Sequence, residues 1–83
     1  LRVFNMRTLF IDVPSKTEGN KIFHRLKQLK SVLSIEKPVN YYFGGIQNEC
    51  TIYLETTMTE EQLDNWLYKS NGIDYIGCGE KTA

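Results

Sequence analysis

The apolar residues of this chain change their spacing along the sequence, from every second position to every third or fourth and back, and do so twice. That succession constrains the fold more than any other feature, because side chains repeat every two residues on a strand and every 3.6 on a helix. In "MRTLFIDVP" (6–14), Leu9, Ile11 and Val13 fall on one side and Thr8, Phe10 and Asp12 on the other. This is a half-buried strand stopped by Pro14, which has no N–H to give a ladder. "PSKTEGN" reads as the turn out of it. Ile22, Leu26, Leu29 and Leu33, joined by Phe23 and Val32, then recur at helical spacing, with Lys21, His24, Arg25, Lys27 and Gln28 on the far face. The spacing predicts an amphipathic helix that ends before Pro38.

"VNYYF" and "ECTIYLE" read as the second and third strands, joined by a "GGIQN" hairpin loop. Cys50, Ile52 and Leu54 share one face of the third strand, and Thr51, Tyr53 and Glu55 the other. A second helix starts after Thr59, which forms a capping box with Gln62, while Met58 and Leu63 stand at the two positions of a hydrophobic staple. Glu60 and Glu61 occupy its first turn, where the helix dipole favours anions. Leu63, Trp66 and Leu67 form its buried stripe, and "SNG" closes it, with Gly72 free to take the left-handed conformation. "IDYIGC" is the last strand, with Ile76 and Cys78 on one side and Tyr75 on the other.

The order strand, helix, strand, strand, helix, strand is the ferredoxin-like βαββαβ pattern, an α+β fold. Right-handed crossovers then set both helices on one face of a four-stranded antiparallel sheet ordered 4-1-3-2. The 83 residues read as a single domain, 1–83, in which residues 1–5, ahead of Met6, either extend the first strand or are foreign to it.

The other sheet face has no element left to cover it. By elimination it shows Phe10 and Tyr53 from the two central strands, flanked by Tyr75 and by one aromatic of the Tyr41–Tyr42 pair, with Tyr42 the candidate site residue. A contiguous aromatic patch is usually a site. The competing reading is that such pairs only hold neighbouring strands together.

Net charge is zero, yet residues 1–41 carry +5 and residues 42–83 carry −5. Lys21, Arg25 and Lys27 make the first helix basic, which suits either the acidic second helix beside it or a charged partner. Two cysteines without close spacing, in a stretch with no export signal, point to reduced thiols and a cytoplasmic location. No apolar run reaches the roughly 20 residues of a membrane helix. His24 stands alone on the basic face, and Gly44–Gly45 has no following helix with which to cradle phosphate. No catalytic residue, metal site or cofactor is expected, and the chain is read as not an enzyme.

Two resemblances bear on function. "LFIDVP" (9–14) resembles the shorter signature of the RNA recognition motif, with Phe10 at the stacking position, and implies single-stranded nucleic-acid binding on the sheet. The third strand, "ECTIYLET", matches the longer signature only at Tyr53, and the sheet's Asp12, Glu49, Glu55 and Asp74 have the wrong sign for phosphate. Asp12, before "VPSK", resembles the acidic position of Cas2 nucleases and implies a metal-dependent nuclease, although hard-metal sites want several oxygen ligands.

The function expected first is therefore a small accessory or regulatory factor, of the inhibitory kind carried by phages and mobile elements. Its partner is another protein or a second copy of itself, met through the aromatic face or an edge strand. The alternative is a nucleic-acid binder using Phe10, Tyr53 and the basic helix, followed by the nuclease.

Overall fold

The first strand, β1 (Arg7–Val13), forms as its alternation requires, with Leu9, Ile11 and Val13 fully buried and the residues between them half-buried. The computed structural model describes residues 5–40 and 50–81, with only the backbone course of 39 and 40. β4 (Cys50–Thr56) pairs antiparallel along the whole length of β1, from Arg7 opposite Thr56 to Val13 opposite Cys50. Cys50, Ile52 and Leu54 face the same core as Leu9, Ile11 and Val13.

Helix α1 (Lys16–Leu26) starts earlier and ends earlier than its apolar spacing predicts. Ser15 is its N-cap: the hydroxyl accepts from the Glu18 N–H at 3.2 Å, so "PSKTEGN" is a helix start rather than a turn. A serine followed three residues later by a glutamate is a helix-start signature, and here it outweighs the turn-like composition around it. Gly19 sits inside the helix because the helix rests on Pro38: a Cβ there would lie 2.9 Å from Pro38 Cγ and 3.3 Å from Val13 Cγ2. The helix gives way after Leu26 to tight turns, in which Leu29 N–H bonds to Leu26 O and Val32 N–H to Leu29 O.

Val32 and Leu33, read from the sequence as the end of that helix, belong instead to strand β2 (Val32–Ile35), and Leu33 is exposed. The helical spacing of Leu26, Leu29 and Leu33 continues past the true end, but the backbone of 32–35 pairs with β4. A ladder with β4 outcompetes local helical periodicity. β3 (Val39–Asn40) continues along the same edge of β4, with Val39 opposite Thr51 and Asn40 opposite Cys50. The two segments are halves of one edge strand, bridged by the Glu36 N–H bond to Tyr53 O and broken where Pro38 supplies no donor. The second strand therefore begins at Val32, not Val39. Residues 41–49, which hold the rest of "VNYYF" and the expected hairpin loop, lie outside the described residues.

Helix α2 (Glu60–Lys69) carries the capping box read from the sequence: Thr59 Oγ1 accepts from Gln62 N–H at 3.1 Å, and Gln62 Oε1 from Thr59 N–H at 2.9 Å. Leu63 and Leu67 are buried, with Met58 and Trp66 packed at their margins. Gly72 has φ +74° beyond its end, and Ile73 folds back onto the core. Thr56, fully buried, ties the entry of α2 to the start of β2: its hydroxyl donates to Ser31 O at 2.7 Å and accepts from Met58 N–H at 3.0 Å.

The last strand, β5 (Gly77–Glu80), starts later than expected, and pairs antiparallel with β1. With β2 and β3 counted as one edge, the order is β5-β1-β4-β2, equivalent to 4-1-3-2. Buried residues of both helices join the inward residues of β1 and β4 in one cluster, so one sheet face is covered. This α+β arrangement of a four-stranded antiparallel sheet and two helices is consistent with a ferredoxin-like fold. No helix among the described residues is long and apolar enough to cross a membrane.

Candidate functional site

Strand register sorts the face away from the helices into rows that cross the sheet. One row holds Lys81, Thr8, Glu55 and Ser34: Lys81 N–H bonds to Thr8 O, Thr8 stands opposite Glu55, and Glu55 opposite Ser34. The next holds Gly79, Phe10, Tyr53 and Glu36, with Phe10 opposite both Gly79 and Tyr53. The third holds Gly77, Asp12 and Thr51.

Phe10 and Tyr53, expected together at the centre of the face, lie in different surroundings. The Phe10 ring reaches across Gly79, which is buried; a Cβ at Gly79 would meet Phe10 Cζ at 2.7 Å. An aromatic ring over an edge glycine restores the packing that the missing side chain would supply. Tyr53 faces an open groove of about 480 Å³ lined by Thr8, Ser34, Glu36, Tyr53, Glu55 and Lys81. Lys81 Nζ stands 4.9 Å from the centre of its ring, inside the range in which a cation is attracted to an aromatic face. Ser34 Oγ donates to Glu55 Oε1 at 3.0 Å and fixes that carboxylate at the rim.

Asp12, the residue on which a nuclease reading rests, accepts from Thr51 Oγ1 at 2.5 Å, and Thr51 is itself buried. Among the described residues no group of three or more His, Cys, Asp or Glu could hold a metal ion. Glu49 and Tyr42 lie outside the described residues.

The expected flank of the face is corrected at Tyr75. Residues 73–76 precede β5 and do not obey strand alternation, so Tyr75 turns to the helix side and its hydroxyl donates to Asp64 Oδ1 at 2.8 Å. Burial, reinforced by that carboxylate, pushes its phenol up to about 12. Ile76, expected to point inward, is exposed for the same reason. Cys78 is half-buried, with Sγ 3.9 Å from Glu60 O and Asp64 Oδ1. Burial, then the negative charge of Asp64 and Glu60, raises its thiol to about 11.

The basic residues of α1 are drawn into the fold. Lys21 Nζ donates to Glu18 Oε2 at 3.2 Å and to Gly72 O at 3.3 Å, and Arg25 Nη1 donates to Asn71 O at 2.7 Å. Glu18 Oε1 accepts from Asp74 N–H at 3.0 Å. These side chains clamp α1 to the turn between α2 and β5. Lys27 Nζ lies 5.2 Å over the Phe23 ring of its own helix.

Sequence reasoning missed Ser34, Glu36 and Lys81. The first two were hidden by reading a helix that runs through Leu33 and ends before Pro38. Lys81 was within reach: it continues the period-two set of Gly77 and Gly79 that faces away from the helices. Comparison with protein families, curated proteins and solved structures gave no match, so the functional reading rests on this geometry alone.

Proposed function

We propose that this chain is a ferredoxin-like, non-enzymatic protein-binding domain that takes its partner at the Tyr53 groove on the helix-free side of the sheet, in an accessory or regulatory role in the cytoplasm. The observation that carries the reading is the groove: open space of about 480 Å³ at the ring of Tyr53, on a central strand, rimmed by polar and charged side chains. Binding energy concentrates in aromatic residues at the middle of a patch, while a polar rim sets orientation. The charge of the face argues against nucleic acid. Among the described residues, Asp12, Glu36 and Glu55 stand there against Lys81, and Lys21 and Arg25 donate to backbone carbonyls on the helix side. Phosphate binding needs accessible cations in the reverse proportion.

The test is affinity capture from the native cell with the wild type, Tyr53→Ala and Tyr68→Ala, the last altering an exposed residue on the outer side of α2. A protein retained by the wild type and Tyr68→Ala but lost with folded Tyr53→Ala supports the reading. Equal retention by all three overturns it. Sedimentation of the purified chain distinguishes a second copy from a different partner.

A further inference from the structure

Lys81 occupies the groove in an incomplete way. Its ammonium stands over Tyr53, yet the ion pairs within 4.0 Å among the described residues are Arg7–Glu80 and Lys21–Glu18, so neither Glu36 nor Glu55 holds it. The groove therefore offers an aromatic face and two carboxylates, and its own lysine meets only the first. A cation that met all three would be held better than Lys81 is. An arginine fits best, because a planar guanidinium stacks on a tyrosine and presents forked donors to a carboxylate, which an ammonium cannot do. Ser34 already holds Glu55 in place for such a contact. Lys81 lies one residue past β5, so rotating its side chain is enough to clear the ring.

We propose that the groove receives an arginine side chain from a basic segment of the partner protein, and that Lys81 is an intramolecular stand-in displaced on binding. This rests on the reading that the partner docks on this face, and it specifies the partner's chemistry. Among the described residues, three carboxylates against one ammonium on the face favour a basic segment.

The experiment is an NMR titration of the full chain with a short peptide carrying one central arginine among glycines and serines, and with its glutamine counterpart. The arginine peptide should shift the amides of residues 34–36, 53–55 and 81, and the glutamine peptide should not. Lys81→Met keeps the apolar stem and removes the competitor, so it should tighten arginine-peptide binding about two- to fivefold. Tyr53→Ala should abolish it, and Glu36→Gln, an exposed substitution, should weaken it and keeps the test valid if Tyr53→Ala fails to fold. Equal shifts from both peptides, or unchanged or weaker binding by Lys81→Met, would overturn the proposal. If partner capture depends on Tyr53 while the arginine peptide does not displace the partner, this inference fails and the binding reading stands. If capture does not depend on Tyr53, both fall.

Discussion

Phe10 covers Gly79: its ring lies so close across the neighbouring strand that a single methyl on the glycine would press into it. The pair should be energetically coupled. Phe10→Ala removes a half-buried ring and should cost about 1–2 kcal/mol, less than a fully buried phenylalanine. Gly79→Ala should destabilise the wild type by displacing the ring, yet cost nothing or stabilise in the Phe10→Ala background. Urea unfolding of the four proteins gives the coupling, expected to be at least about 0.5 kcal/mol. Additive effects would mean the ring does not rest on the glycine.

Glu18 makes stability depend on pH. Its carboxyl is held below its ordinary value of 4.5, first by the Asp74 N–H and then by Lys21. The unfolded chain thus binds a proton more readily, so stability from this group is complete above the unfolded value and is lost as pH falls through the lower folded one. Glu18→Gln should flatten the acid limb of a stability-versus-pH curve and leave the neutral region shifted by a constant amount. An unaltered acid limb would place Glu18 outside the clamp.

Thr59→Ala should lower stability by about 1 kcal/mol, since it leaves the Gln62 N–H without its acceptor. The cap lies at the start of α2, on the helix side, so binding at the groove should be unchanged once the protein is folded. Thermal melts and partner capture measure the two effects separately.

The cysteines should react at different pH and for different reasons. Cys50 is buried and its thiol is raised by that burial, so a thiol reagent should reach it only on unfolding. Cys78 is half-buried, and with its thiol at about 11 it should label slowly at neutral pH and faster as pH rises toward that value. β1 runs between the two strands that carry them, with Ile11 opposite both Ile52 and Cys78, so no native disulfide should form. Rapid labelling of Cys50 in the folded chain would contradict this core.

What could be read from the residues alone follows from where local rules meet no competitor. Leu9, Ile11 and Val13, and Cys50, Ile52 and Leu54, alternate because one face of each strand is buried, so their inward sets were plain. Thr59 and Gln62 form a local motif whose partners are three residues apart, and it survived intact. The end of α1 was obscured because Leu29 and Leu33 continue a helical spacing while the chain is already turning to pair Val32–Ile35 with β4, a contact distant in sequence. Tyr75 was misplaced because strand alternation was applied to a segment that is not strand. The aromatic face was legible as a location, but its groove was not. Glu36 and Lys81 come together only through the register of four strands.

Whether the partner sits over Tyr53 is answered by photo-crosslinking in the native cell. A benzophenone amino acid is introduced at Ser34, on the rim of the groove, and separately at Tyr68, on the outside of α2. A discrete protein adduct is expected from position 34, lost when Tyr53→Ala is combined with it, and none from position 68. An adduct from position 68 with none from position 34 would contradict that placement.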